Sequence, residues 1–326
     1  MGQKQKKQRL TKEEARNRIK PTQDLFVRWL FGEESHTSLT KSFINAVLED
    51  AGGKKVREIS IKSPFIMSEC RSTKMPVTDI EASDENGTVF DIEIQAYTEN
   101  AFLLRLKYYW AGIYRKQLKK GNDYSTLKPC IVIALTTKKI FTESAKLHYI
   151  SQTVDKEDGS LLFFRPFDPE QYHIIELERF ENNPDAMYTV SRDGRQRKIS
   201  ASLFSWLRFL KLGAEEDFMK KYHETDTAIA EAKQHYETFI DDDALALAQL
   251  RRDRADHDLA QFRNDAIREG LAEGREKGLT EGRAEGRAEG RAEGRAEIVR
   301  KLLKAGISAE QIAAATGMDI EEIKRG

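Results

Sequence analysis

Cysteine is nearly absent: Cys70 and Cys130 are the only two in 326 residues. Two thiols build no disulfide framework and match no metal-binding spacing. Cys130 sits in Pro-Cys-Ile-Val-Ile-Ala-Leu, a buried-strand pattern in which a thiol behaves as a small hydrophobe. The six histidines are scattered, and none forms an H-x-x-x-H pair, so zinc chemistry has no support. There is no G-x-S-x-G and no glycine-rich phosphate loop, which leaves serine hydrolase, kinase and nucleotide-binding functions without a motif. No apolar run approaches the length of a membrane span. The charged N-terminus lacks the apolar core of a signal peptide. The expectation is a cytoplasmic protein with no membrane partner. Net charge is absent too. Fifty-four Lys and Arg balance 54 Asp and Glu, which argues neither for nor against nucleic acid.

What is present is unevenly distributed. The chain is 39% hydrophobic and 33% charged, enough for a core together with a long solvated segment. Residues 1–20 carry eight Lys or Arg against Glu13 and Glu14, and read as a basic flexible arm, either phosphate-seeking or solubilising.

The most informative stretch is TDIEASDENGTVFDIEIQ, Thr78 to Gln95. Both of its halves alternate polar and apolar residues, the pattern of half-buried strands. Asp84-Glu85-Asn86-Gly87 reads as a type I turn with Gly87 at positive φ in a G1 bulge. That loop pairs Asp84 with Thr88, sets Glu81 opposite Asp91 and Asp79 opposite Glu93, and puts these four acids and Gln95 on one face. Ile80, Phe90, Ile92 and Ile94 take the other. A two-residue Asn86-Gly87 loop would break this arrangement by shifting the register by one. Like charges across a strand pair repel. Either the face is a solvated acidic surface, or a divalent cation cancels the repulsion, since hard ions such as Mg2+ take carboxylate oxygens.

Around the hairpin, helices are expected from Asp24 and over 38–48, a strand over 55–61, and an amphipathic helix over 101–118 with Phe102, Leu106, Tyr109 and Ile113 at helical spacing. Arg105, Lys119 and Lys120, along or after that helix, are candidate phosphate contacts. Strands over 129–135 and 173–177 and a helix over 200–212 complete an α/β core with a mixed sheet, placed in a domain over 21–213. Residues 214–265 read as a helical segment. Residues 266–300 hold a four-residue repeat with glycine at 270, 274, 278, 282, 286, 290 and 294. Collagen needs glycine every third residue, so it is excluded. On a helix, the repeat flanks a glycine stripe with Glu on one side and Arg on the other. Like charges then sit at i,i+4, and each glycine costs about 1 kcal/mol. A lone helix is poor. Two parallel copies packed through their glycine stripes would set Glu against Arg, with a right-handed supercoil. The alternative is a solvated linker. The end, 301–326, resembles a helix-turn-helix with Ser308 and Asp319 as N-caps around Gly317. Its second helix is short for a recognition helix, so a packed helical terminus is the expectation.

The segments PTQDLFVRWLFG, TDIEASDENGTVFDIEIQ, LLRLKYYWAGIYRKQLKKGNDYSTLKPCIVIAL and HIIELERF, in this order, resemble the bacterial recombination-promoting nuclease and putative transposase family. That family belongs to the PD-(D/E)XK, restriction-endonuclease-like superfamily. The likeness covers roughly residues 20 to 230. It implies a restriction-endonuclease-like α/β fold with a long helical C-terminal tail, and metal-dependent hydrolysis of DNA phosphodiesters with Mg2+, or Mn2+ in its place. It matches Asp79 and Glu93 to the two metal-holding acids and Gln95 to the position of the signature lysine. Asp24 matches a supporting acid, and Asp91 is a second candidate beside Glu93. Gln95 carries no charge and cannot act as a base, but its amide can orient a water. A fold acting only as a DNA-binding or oligomeric module is the alternative reading.

Overall fold

The computed structural model of the chain describes residues 11–62, 80–95, 101–144, 146–160, 169–185, 187–190, 196–215 and 226–325. Two compact units divide it, 1–253 and 254–326. The first begins with helices α1 (Lys12–Arg18), α2 (Asp24–Gly32) and α3 (Thr37–Asp50). Strands β1 (Ile59–Ile61), β2 (Ile80–Asp84) and β3 (Val89–Gln95) follow, then α4 (Phe102–Lys116). Next come β4 (Cys130–Thr136), β5 (His148–Gln152), β6 (Glu170–Glu176) and a ribbon of β7 (Tyr188–Val190) and β8 (Gln196–Lys198). Helices α5 (Ala201–Leu212), α6 (Thr227–Asp241) and the start of α7 (Asp243–Lys304) end the unit.

Six strands form one mixed sheet in the order β1-β2-β3-β4-β6-β5. β1, β2 and β3 pair antiparallel, β3, β4 and β6 run parallel, and β5 closes the far edge antiparallel to β6. The parallel strand β4 is buried along its whole length, as its unbroken apolar run requires. The expected strands at 129–135 and 173–177 and the helices at 101–118 and 200–212 are all present, within a few residues of their expected ends. β5 was not foreseen: only His148 of its five residues is buried, so an edge strand leaves little apolar alternation to read.

Two cores cover the two faces of the sheet. Ile80, Ala82, Phe90, Ile92, Ile131, Ile133 and Leu135 point to one side, where they meet α2, α3, α5 and α6 through residues such as Phe26, Phe43, Trp206 and Phe239. Val132, Ala134, Tyr172 and Ile174 point to the other, under Phe102 and Leu106 of α4. Tyr109 and Ile113 are only half-buried on that helix.

The segment expected to be a flexible basic arm contains α1. Thr11 and Glu14 close a capping box at its start, and Ala15 and Ile19 are buried against the first core. Two of its cations are engaged: Lys12 meets Glu237 and Asp241 at 2.7 Å each, and Arg16 meets Glu237 at 2.6 Å. Residues 1–10 lie outside the described residues.

In the second unit the glycine repeat is helical throughout as part of α7. The end of α7, α8 (Ala309–Thr316) and α9 (Ile320–Arg325) share a small core of Val299, Ile312 and Ile323. Ser308 caps α8 in a capping box with Gln311, and Gly317 ends it at φ +71°. Asp319 Oδ1 accepts from Glu321 N–H at 2.7 Å.

Candidate active site on the acidic face of the hairpin

The turn between β2 and β3 has the expected three-residue form. Asp84 N–H donates to Thr88 O at 3.0 Å, Gly87 N–H donates to Asp84 O at 3.1 Å, and Gly87 takes φ +84°. Asp84 Oδ1 also accepts from the Asn86 and Thr88 N–H groups, which fixes the loop. The register follows from it: Glu81 opposes Asp91, and Ile80 opposes Ile92. Asp79, one position further along, lies outside the described residues.

The described acids of this face are not solvated. Asp91 is 1% and Glu93 4% exposed, and Glu81 is half-buried. In the parallel ladder Asp91 lies beside Val132 and Glu93 beside Ala134, so both acids share the face that α4 covers. Trp110 Nε1–H donates to Cys130 O, Gln117 exchanges two hydrogen bonds with the Lys128 backbone, and Lys107 pairs with Glu170. These contacts hold α4 along β4 and β6.

That placement turns Arg105 toward the site. Its guanidinium donates to Glu93 Oε1 at 2.7 Å. Among the described residues, the other oxygen, Glu93 Oε2, is buried without a hydrogen-bond partner. Burial raises the Glu93 pKa above the usual carboxylate range, and the charge of Arg105 only partly opposes this. The same environment acts on Cys130, whose thiol is pushed up to about 12 by burial, with Asp91 and Glu81 adding to the shift. An inert thiol and the two buried carboxylates of Asp91 and Glu93 therefore share one face at the start of the parallel sheet.

A hard divalent cation fits this donor chemistry, since Glu93 presents an unsatisfied carboxylate oxygen inside an acidic face. Among the described residues, no group of three or more His, Cys, Asp or Glu side chains is gathered to hold a metal ion. Of the other expected site residues, Gln95 ends β3 opposite Thr136. Asp24 opens α2, and its carboxylate takes Arg252 Nε at 2.5 Å. The structure thus brings Asp24 to Arg252, and Arg105 to Glu93. Lys119 and Lys120 are exposed just beyond α4.

One buried polar group escaped the sequence reading. His148 Nδ1 lies 2.7 Å from Asp50 Oδ2, and His148 Nε2 lies 2.9 Å from His173 Nδ1. Their separation of 25 and 98 residues hides the group from any local motif. It sits on the face of the sheet opposite Glu93, where Asp50 ends α3 and accepts the Ser200 N–H at the start of α5. It ties those two helices to the sheet edge.

Comparison with known families gives two matches. The profile of the PD-(D/E)XK nuclease family transposases matches residues 21–266. That of the IbrB-like C-terminal HTH domain matches residues 291–325. The second match revises the expectation of a merely packed terminus: the short α9 is compatible with a helix-turn-helix unit completed by the end of α7. No curated protein and no solved structure gives a match. Among the described residues, no helix is long and apolar enough to cross a membrane.

Proposed function

The chain belongs to the PD-(D/E)XK nuclease family transposases, and from that premise we propose that it is a metal-dependent endonuclease that hydrolyses DNA phosphodiesters during recombination, mobile-element movement or defence. The observation that carries the proposal is the buried Glu93 carboxylate, with one oxygen on Arg105 and the other unsatisfied. Glu93 and Asp79 would hold Mg2+, or Mn2+ in its place, with Asp91 as a supporting acid. When bound, the ion supplies Lewis-acid polarisation of a phosphoryl oxygen and acidifies the water that attacks phosphorus. Arg105 fixes the Glu93 rotamer and favours its ionised form against the cost of burial. Gln95, in the position of the signature lysine, would supply a dipole rather than a charge to orient the water. Lys119 and Lys120 position the DNA backbone without reading its sequence.

The helix-turn-helix match supports a DNA-binding role for residues 291–325. Self-association through α7 completes the proposal. A Cβ added at any of its seven glycines would meet nothing within 4 Å, so no contact among the described residues requires glycine there. The same four-residue phase holds Phe262 before the run and Ile298 after it, 74% and 59% exposed. A second copy packed on this stripe would bury both, and would set Glu281, Glu285 and Glu289 near Arg283, Arg287 and Arg291 of the other copy.

Plasmid cleavage by the full chain with Mg2+, Mn2+, Ca2+ or EDTA, beside Asp79→Ala and Glu93→Ala, tests the reading. Cleavage with Mg2+ or Mn2+ that both substitutions abolish, with circular dichroism unchanged, is the expected result. Cleavage indifferent to both substitutions would refute the site. Gln95 in the lysine position favours one second reading, a catalytically weak DNA-binding module. Its signature is a DNA mobility shift with no cleavage under any metal.

A further inference from the structure

We infer that the outward face of α4 docks a single-stranded segment of nucleic acid, with the Tyr108 ring stacked on an unpaired base and Arg115, Lys116, Lys119 and Lys120 meeting phosphates. The choice of nucleic acid as the polyanion rests on the nuclease reading above.

The face is unusual in charge. From Ala101 to Lys120 there are six Lys or Arg and no Asp or Glu, in a chain whose charges balance overall. Two of the six are engaged, Arg105 with Glu93 and Lys107 with Glu170. Arg115, Lys116, Lys119 and Lys120 are exposed, and no ion pair joins them to a carboxylate among the described residues. The nearby Asp123 is occupied, its side chain accepting from Ser125 N–H.

The face is also unusual in its apolar exposure. Leu104 and Tyr108 are 75% and 76% exposed one turn apart, on a stripe that continues through Ala111 to Arg115. Tyr124, just beyond the basic run, is 77% exposed. Exposed aromatic rings among unneutralised cations are the composition that binds single strands, because every base has a face to stack while the cations follow the backbone. The rise from Tyr108 to Arg115 is about 10 Å.

A second copy of the chain is a poorer occupant. A two-fold contact would set this face against itself and bring the four unneutralised cations together. A duplex satisfies the cations but offers no unpaired base to Tyr108.

The test is fluorescence anisotropy of the full chain in EDTA with a labelled single-stranded oligonucleotide and its duplex. Wild type is compared with Tyr108→Ala, Tyr108→Phe and the double variant Lys119→Gln/Lys120→Gln. Tyr108→Ala should weaken single-strand binding about 5- to 100-fold, the equivalent of one lost stack. Tyr108→Phe should stay within about twofold, because the ring remains. The double lysine variant should reduce the salt slope by about 1.4. Duplex binding should be indifferent to Tyr108. Single-strand binding unchanged in Tyr108→Ala overturns the inference. So does a change of oligomeric state in place of a change in binding, or Tyr108-dependent binding to anionic phosphatidylserine vesicles without oligonucleotide binding. Because the assay excludes metal, it separates the two readings. Tyr108-independent binding beside intact Mg2+ cleavage removes this inference alone; Tyr108-dependent binding with no cleavage removes the nuclease reading alone.

Discussion

Mild acid should destabilise the first unit through His173. This residue is fully buried, and burial, with His148 next to it, pushes its pKa down to about 3. The bonding pattern explains why. Burial pushes the Asp50 carboxyl up, but His148, the Ser200 N–H and Arg197 outweigh it and hold Asp50 below its usual value, ionised. His148 Nδ1 faces Asp50 Oδ2 and His148 Nε2 faces His173 Nδ1, so the carboxylate and the two rings form one buried chain. This leaves His173 Nε2 buried with no acceptor to receive a proton. In the unfolded chain the same ring protonates near its ordinary value of about 6.5. Between about pH 6.5 and 3 the unfolded state therefore binds more protons, and stability falls as pH falls. At pH 5 the loss from this group is about 2 kcal/mol, 1.5 pH units at about 1.36 kcal/mol each. Asp50 does not blur the window, because its contribution is lost only at lower pH, as its depressed folded pKa is approached. Urea unfolding of wild type and His173→Gln at about pH 7.5 and 5 measures the effect. Glutamine keeps a side-chain amide that can either donate to or accept from His148 Nε2, and it does not titrate. Wild type should lose about 2 kcal/mol more than the variant between the two pH values, groups distant from residue 173 cancelling. Equal losses in the two proteins would refute the account of the network.

Three further variants have defined outcomes. Gly87→Ala should cost about 1–2 kcal/mol in urea unfolding, since the position has φ +84° and a Cβ there would meet Lys128 Cγ at 3.2 Å. Ile312→Ala should cost about 2–5 kcal/mol, enough to melt a core built on Val299, Ile312 and Ile323, and should show as lost helicity while the first unit's tertiary signal persists. Gly286→Ala/Gly290→Ala should stabilise the isolated α7 helix by about 1 kcal/mol per site, since nothing lies within 4 Å of either Cβ. Sedimentation of the same variant should show weaker self-association if the glycine stripe is the contact.

The hairpin was legible because its information is local. Two alternating strands and a turn with glycine at its bulge position specify one register, and that register aligns Glu81 with Asp91. The unbroken apolar run of β4 and the capped amphipathic helix α5 were legible for the same reason. What the sequence hid was contact between distant segments. Nothing in residues 1–20 reveals Glu237 and Asp241 as partners for Lys12, so a helix looked like a free arm. Arg105 read as a phosphate contact because its helix is basic; only the packing of α4 over β4 turns it to Glu93. The Asp50–His148–His173 chain joins three elements far apart in the chain, and no spacing rule reaches it. The helicity of the glycine repeat was open for a different reason: glycine cost and like-charge spacing argue against a helix, and only a partner surface argues for one.

The central claim is that the acidic face of the hairpin holds a divalent cation. Calorimetric titration of Mn2+ into the metal-stripped full chain, beside Glu93→Gln and Asp79→Asn, tests it most directly. Saturable binding in the wild type that is lost in both variants, each still folded by circular dichroism, is the result the account requires. Undiminished binding in both variants, or no saturable binding to the wild type, would contradict it.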